Sequence, residues 1–147
     1  MKAPGLVRAN AAQACIDRFS GRALSWGKVD CAQVVLHNLR QLGISTAAWK
    51  GLDYKSEIGA AKALRARGFD GLIPAMDALS DVFECAPSMA AAGDVVGMET
   101  DGDLWDCALV VRVSPKHVIG LADGIVTAMK VDLSRAVKAW RCNPCRT

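Results

Sequence analysis

A cysteine stands where a helix is expected to begin. The segment 26–31 reads Trp-Gly-Lys-Val-Asp-Cys, and Asp30 is a typical N-cap residue. The apolar residues that follow recur on one helical face: Val34, Val35, Leu39 and Leu42. The free N–H groups and the dipole at a helix N-terminus stabilise a thiolate, and the same N–H groups can receive an oxyanion. The pattern therefore makes Cys31 a candidate nucleophile.

A cysteine nucleophile needs a base within hydrogen-bond reach, and the chain contains only two histidines. His37 follows Cys31 by six helical positions, which corresponds to about 600° of rotation and a different face. His117 lies at the far end of a predicted strand that starts near Cys107, about 20 Å from the place where a base is needed. His117 is the remaining candidate base, and we expect it to lie out of reach. Two hypotheses for Cys31 stay open: a reactive thiol, or a buried helix residue without a chemical role.

The second pattern with chemical potential is Cys142-Asn-Pro-Cys145, near the end of the chain. Two thiolates at this spacing can share a zinc or iron ion, but a tetrahedral site needs four ligands. Cys107, Cys31 or a neighbouring chain could complete such a half-site. The alternatives are two unliganded thiols, or a disulfide that forms after release from the cell. Apart from this weak half-site, we expect no cofactor.

Composition narrows the class of protein. The chain has 147 residues, enough for one domain, which we place at 1–147. The net charge is +3 without a basic run, so nothing indicates nucleic-acid binding. No stretch is typical of a secretory signal or a membrane span. We therefore expect synthesis in a reducing cytosol, where the six cysteines are free or metal-bound rather than bridged.

Hydrophobic periodicity predicts helices first and strands afterwards, which is typical of an α+β domain. The predicted helices are 8–20, 31–42, 56–67 and a fourth that Pro74 opens and that packs Leu79, Val82 and Phe83. The predicted strands begin at Val95, near Cys107, at His117 and at Ile125, with a last one around Trp140 and Arg141. In the strand from Cys107, alternation predicts that Leu109 and Val111 point to one face and Val110 and Arg112 to the other.

The segment 26–31, followed later by Gly-Asp-Val-Val at 93–96, resembles NlpC-type cysteine peptidases, which cleave peptide bonds in bacterial cell walls. The pattern is closer to a small family of phage tail-module proteins. The motifs shared with that family include Tyr54, Gly59-Ala60, Asp123-Gly124 and Ala139-Trp140-Arg141. The resemblance implies a papain-like NlpC-type fold, with N-terminal helices packed on an antiparallel sheet. It places Cys31 at the nucleophile position and Asp106-Cys107-Ala108 where those enzymes open a strand with the catalytic histidine.

The resemblance implies a structural part of a bacteriophage tail tip or baseplate, with a degenerate peptidase fold. Such a protein is made in the host cytoplasm, is assembled into the virion tail and contacts hub, distal-tail or tape-measure proteins. The alternative is an active cell-wall cysteine peptidase or amidase that uses Cys31 and aids genome injection. A third hypothesis is a thiol-dependent regulator acting through Cys142 and Cys145. The missing histidine favours the first hypothesis. The fold alone does not decide between them, because one fold hosts many functions.

The aromatic residues suggest where partners bind. The chain has four tryptophans against three phenylalanines and one tyrosine. Trp49 and Trp105 fall in predicted loops beside charged residues, where an exposed tryptophan is a typical interface anchor. We therefore expect Trp49, Trp105 and the C-terminal segment with Cys142 and Cys145 to contact other tail proteins rather than substrate. The alternative is that these residues cover the core of their own domain.

Overall fold

A computed structural model describes residues 3–144 of the chain. Within these residues, the α-helices are α1 (Pro4–Phe19), α2 (Cys31–Gln41), α3 (Glu57–Ala66) and α4 (Leu72–Asp77). The strands follow them as β1 (Val82–Cys85), β2 (Val95–Met98), β3 (Ala108–Arg112), β4 (His117–Ala122), β5 (Ile125–Lys130) and β6 (Ala136–Cys142). Short 3-10 turns lie at Ala47–Trp49, Pro87–Met89 and Leu133–Arg135. The predicted α+β class is confirmed.

The strands form one sheet in the order β1-β6-β2-β3-β4-β5, and every neighbouring pair is antiparallel. The last strand lies between edge strand β1 and β2, so it is paired on both sides. Strands β3 and β4 pair at Val111↔Ile119 and Arg112↔Val118, close to the turn that joins them. Their ladder does not extend back to Ala108, and this end of β3 forms part of the cleft described below.

The two faces of the sheet carry different cores. The larger core lies under α1 and α2 and includes Leu109, Val111 and Trp140 from the sheet. The smaller core, on the opposite face, includes Val110 and the residues Ala90, Val96, Val118 and Ala139. The alternation predicted for β3 is therefore confirmed, because its odd-numbered residues face the helices and Val110 faces away.

The first three helices lie where periodicity predicts them, but the fourth prediction is wrong. Helix α4 begins at Leu72 because the carboxylate of Asp106 accepts hydrogen bonds from the N–H groups of Leu72 and Ile73, both at 2.9 Å. It ends at Asp77, and Phe83 lies in β1, opposite Arg141 of β6. The backbone partners of that strand come from the distant end of the sequence. Among the described residues, no helix has both the length and the apolar character needed to cross a membrane.

The buried carboxylate of Asp94 joins β2 to β6 and to the loop between β1 and β2. Its Oδ2 accepts from Arg141 Nε at 2.7 Å and from the N–H of Ala91 at 2.8 Å. Its Oδ1 accepts from the N–H of Cys142 at 3.0 Å. The bond to Ala91 is local, whereas the ion pair joins two residues that are 47 positions apart in the sequence. The Gly-Asp-Val-Val and Ala-Trp-Arg motifs therefore meet in one structural contact.

Candidate functional site

The candidate site is a cleft of about 820 Å³ between the start of α2, the loop that leads to α3 and the first residues of β3. Its walls are mainly apolar and aromatic. The residues that matter for its chemistry are Trp26, Asp30, Cys31, Tyr54, Trp105 and Cys107.

Cys31 is the first residue of α2, as the sequence predicts, and Asp30 is its N-cap. Burial raises the pKa of the Cys31 thiol to about 11, and the negative charge of Asp30 adds to the rise. The backbone N–H groups of Leu109, Ala32 and Cys31 itself oppose the rise. The expected stabilisation of a thiolate at the helix N-terminus is therefore present but is outweighed by burial, and Cys31 is a neutral thiol at neutral pH.

Cys107 precedes β3, at the position where the resemblance to NlpC-type peptidases implies a histidine. It is buried, and burial, followed by the charges of Asp106 and Cys31, raises its pKa to about 12. Gly97 of β2 leaves space for this side chain, because a Cβ at residue 97 would lie 3.1 Å from Cys107 Sγ. A thiol with this pKa is protonated at neutral pH and cannot serve as the base that Cys31 needs.

Neither histidine, among the residues that the structure describes, hydrogen-bonds to Cys31. The His37 ring packs edge-on against Phe19, with ring centroids 5.7 Å apart, and burial lowers its pKa together with Arg18 and Arg40. The Nδ1 of His117 lies 3.1 Å from Ser114 Oγ at the β3–β4 turn. His117 lies opposite Val113, at the other end of the strand from Cys107 and about 20 Å away along it.

The buried carboxylate of Asp30 fixes the start of α2 through hydrogen bonds. Oδ1 accepts from the N–H of Gln33 at 2.9 Å, and Oδ2 accepts from the N–H of Gly27 at 2.8 Å. The Tyr54 hydroxyl lies 3.2 and 3.0 Å from the two carboxylate oxygens and donates to this group. The sequence predicts the cap but not the hydroxyl partner. Tyr54 lies in the loop between α2 and α3, and no local sequence pattern predicts that its hydroxyl contacts Asp30.

Residue 27, in the turn before α2, favours glycine for two reasons. It has a positive φ of +87°, and a Cβ at this position would overlap the carbonyl oxygen of Tyr54. Gly21 provides a matched control, because its φ is +84° and nothing lies within 4 Å of its added Cβ.

We expect Gly21→Ala to lower the free energy of unfolding by about 1–2 kcal/mol, the cost of a left-handed alanine. Gly27→Ala should cost roughly 1–3 kcal/mol more, because the methyl group must displace Tyr54. Denaturant unfolding of both variants measures the difference. Equal destabilisation by the two substitutions would show that the Tyr54 contact is not tightly packed.

The prediction that Trp49 is an exposed interface anchor is wrong. Trp49 is 4 % exposed, lies in the larger core and donates from Nε1 to the carbonyl of Ala75 at 2.7 Å. The indole packs within the larger core, and the buried carbonyl of Ala75 in α4 accepts its N–H. The charge beside Trp49 suggests an exposed position, but only Lys50 is exposed and the indole ring is not.

Trp105 is half-buried at the rim of the cleft. It stacks on Trp26, with ring centroids 6.3 Å apart and an angle of 13° between the planes. Its Nε1 donates to Glu57 Oε2 at 3.2 Å. The stack joins two loops that are distant in sequence, and no local pattern signals it. A partner-binding role for Trp105 stays a prediction.

The structure describes only one of the two cysteines of the predicted metal half-site. Cys142 is buried in β6, and burial raises the pKa of its thiol. Cys145 lies outside the described residues. Within residues 3–144, no three His, Cys, Asp or Glu side chains form a group that could hold a metal ion. The half-site at Cys142 and Cys145 stays a prediction.

Comparison with known families places the chain in one of them. Residues 7–142 match the family described as "Domain of unknown function (DUF6950)". This range contains the whole cleft and all six strands of the sheet. Searches of curated proteins and of solved structures found no match. The chain belongs to the DUF6950 family.

Proposed function

We propose that this protein is a structural component of a bacteriophage or phage-like tail tip or baseplate, with an NlpC-type, papain-like fold that has lost its catalytic pair. The observation that supports this most directly is the surroundings of Cys31. Its thiol lies at a helix N-terminus beside β3, as the resemblance to NlpC-type peptidases implies. The side chain at the expected base position is the buried thiol of Cys107 rather than an imidazole.

The roles of the remaining motif residues also support a structural function. Asp94 of Gly-Asp-Val-Val binds Arg141 of Ala-Trp-Arg, and Trp140 of the same motif donates from Nε1 to Asp77 Oδ1 at 2.9 Å. Asp30 and Tyr54 hold the start of α2. These residues stabilise the fold, and none of them supplies a base to Cys31. Retained structural residues beside a missing catalytic base are what we expect if selection preserved the fold and not the peptidase activity.

Apolar side chains are exposed near the β1 edge of the sheet, where other subunits could bind. Phe83 in edge strand β1 is 53 % exposed, and Met89 in the adjacent turn is 65 % exposed. Val137 of β6 is also exposed. Large apolar side chains that remain in contact with water are common where a subunit joins its neighbours. Hub, distal-tail or tape-measure proteins are the partners that we propose.

An active cysteine peptidase or amidase remains the second candidate. The feature that favours it is the open cleft with a half-buried thiol at its floor and three backbone N–H groups near the sulfur. Catalysis would require deprotonation of Cys31 against a pKa of about 11, without an imidazole beside it.

Phage genetics tests the structural role. We expect mass spectrometry to detect the protein in purified particles, and deletion of its gene to abolish infectious particles. Complementation with Cys31→Ala should restore infectivity to the wild-type level. Cys85→Ala is the matched control, because Cys85 is also half-buried but lies outside the cleft. Particles without the protein, or a Cys31→Ala phage as defective as the deletion while Cys85→Ala is normal, would contradict the proposal.

A further inference from the structure

The cleft follows one side of α2 over most of the length of the helix. Cys31, the first residue of α2, and Arg40, in its last turn, both line the cleft, and Gln33 and Leu36 line it between them. The rise of an α-helix from residue 31 to residue 40 is about 13–14 Å. The cleft is therefore long enough to receive an extended chain.

Aliphatic side chains dominate the lining of the cleft. Its leucines come from helices α2, α3 and α4, from strands β3 and β4 and from two loops. An alkyl chain that lies against these side chains would remove apolar surface from water on both partners.

The main polar groups of the lining are already paired within the protein. The Asp30 carboxylate accepts from two backbone N–H groups and from the Tyr54 hydroxyl. The indole N–H of Trp49 donates to a backbone carbonyl, and that of Trp105 donates to Glu57. A bound peptide would bring its own N–H and C=O groups, and burial without partners for them is costly. An alkyl chain has no such groups, so it fits this lining better than a peptide.

Two cations of the lining are free to meet an anion. Arg40 marks the end of the cleft away from Cys31, and Lys50 adds a second cation from the loop that follows α2; both are exposed. Within residues 3–144, neither takes part in an ion pair. The two carboxylates of the lining are engaged elsewhere, because Asp30 caps α2 and Glu57 accepts from Trp105. The cleft therefore combines an apolar interior with an uncompensated positive charge.

We propose that the cleft binds a free long-chain carboxylate, with the carboxylate at Arg40 and Lys50 and the alkyl chain directed along α2 toward Cys31. The guanidinium of Arg40 can hold a carboxylate through two parallel hydrogen bonds, and the apolar lining holds the chain. The inference goes beyond the proposed tail function and does not depend on it, because binding is measured on the purified chain.

The first test is calorimetric titration of the reduced full chain with octanoate, decanoate and dodecanoate, below the concentrations at which they form micelles. We expect the Kd to fall about fourfold for each added methylene that enters the cleft. Dodecylamine has the same chain as dodecanoate but a cationic head, and it should bind about tenfold more weakly.

Charge reversal tests the position of the carboxylate. The double variant Arg40→Glu, Lys50→Glu should bind dodecanoate about tenfold more weakly than wild type and should lose the preference over dodecylamine. Lys62→Glu is the matched control, because Lys62 is an exposed cation of α3 that lies outside the lining, and it should leave the Kd unchanged. All three substituted side chains are exposed, and thermal unfolding checks that the variants fold.

Alkylation of Cys31 tests the direction of the chain. Saturating dodecanoate should slow the reaction of Cys31 with iodoacetamide, measured by mass spectrometry at mildly alkaline pH, and the shorter octanoate should slow it less. Cys85 is the internal control, because it is also half-buried but lies outside the cleft, and its reaction rate should not change.

The proposal is overturned if dodecanoate does not bind, if the Kd does not depend on chain length, or if dodecylamine binds as tightly as dodecanoate. Unchanged alkylation of Cys31 at saturating dodecanoate would also overturn it. Tighter binding of an apolar tetrapeptide with a free carboxylate would assign the cleft to peptides instead. Sedimentation with phosphatidylglycerol vesicles that excess dodecanoate does not reverse would assign the cations to a membrane surface, against the proposal.

Discussion

Replacing Asp94 with alanine is expected to lower the free energy of unfolding by about 3–5 kcal/mol, because two backbone N–H groups lose their acceptor and the partly exposed Arg141 loses its ion-pair partner. The carboxylate is fully buried and binds Arg141 Nε, the N–H of Cys142 and the N–H of Ala91. Its loss leaves a guanidinium and two backbone donors without this acceptor, where β2 and β6 meet. For a chain of this size the melting temperature should fall by roughly 6–20 °C.

Thermal and denaturant unfolding measure this effect, and Asp103→Ala is the control. Asp103 is an exposed carboxylate in the loop between β2 and β3, and its substitution should change the free energy of unfolding by less than about 0.5 kcal/mol. Asp94→Asn should fall between the two, because the amide keeps one of the two acceptor oxygens but carries no charge. An Asp94→Ala protein as stable as the Asp103→Ala protein would contradict the structural role assigned to the Gly-Asp-Val-Val motif.

Asp30→Ala is expected to have the second largest effect, a loss of about 2–4 kcal/mol in the free energy of unfolding. The substitution removes the N-cap of α2 and leaves three donors without their acceptor: the N–H groups of Gln33 and Gly27 and the hydroxyl of Tyr54. Because Cys31 follows directly, the start of α2 and the floor of the cleft should become more mobile.

Tyr54→Phe separates the contribution of the cap from that of the hydroxyl. It removes one donor and leaves both backbone bonds of Asp30, so we expect a loss of about 1 kcal/mol. Amide hydrogen exchange should show faster exchange in the first turn of α2 for Asp30→Ala than for Tyr54→Phe. Equal exchange rates in the two variants would show that Asp30 does not hold the start of this helix.

The sequence predicts the parts of this fold that depend on local patterns. The start of α2 follows from Asp30 and the apolar stripe after it, because a cap and an amphipathic face are read within a few residues. The two faces of β3 follow from alternation between Leu109, Val110 and Val111. The strand positions after Val95 follow for the same reason.

Contacts between distant segments could not be predicted in this way. The start of α4 depends on the carboxylate of Asp106, and the position of β1 depends on pairing with β6; both partners lie far along the chain. The burial of Trp49 depends on a carbonyl of α4, at Ala75.

The chemistry of the cleft was also predictable only in part. Spacing placed Cys31 at a helix N-terminus and excluded His37 from the same face. The protonation state of Cys31 depends on how deeply the thiol is buried against β3, and the sequence pattern does not contain that quantity.

Hydrolysis of peptidoglycan stem peptides by the purified protein tests the central claim, that the cleft has lost its catalytic pair, most directly. The assay compares wild type, Cys31→Ala and the matched control Cys85→Ala under reducing conditions, which keep the cleft thiols free. We predict that all three proteins release product at the background rate, because Cys31 is protonated and has no imidazole beside it. Product release by wild type and Cys85→Ala that disappears in Cys31→Ala would contradict the claim and would identify the protein as a cysteine peptidase or amidase.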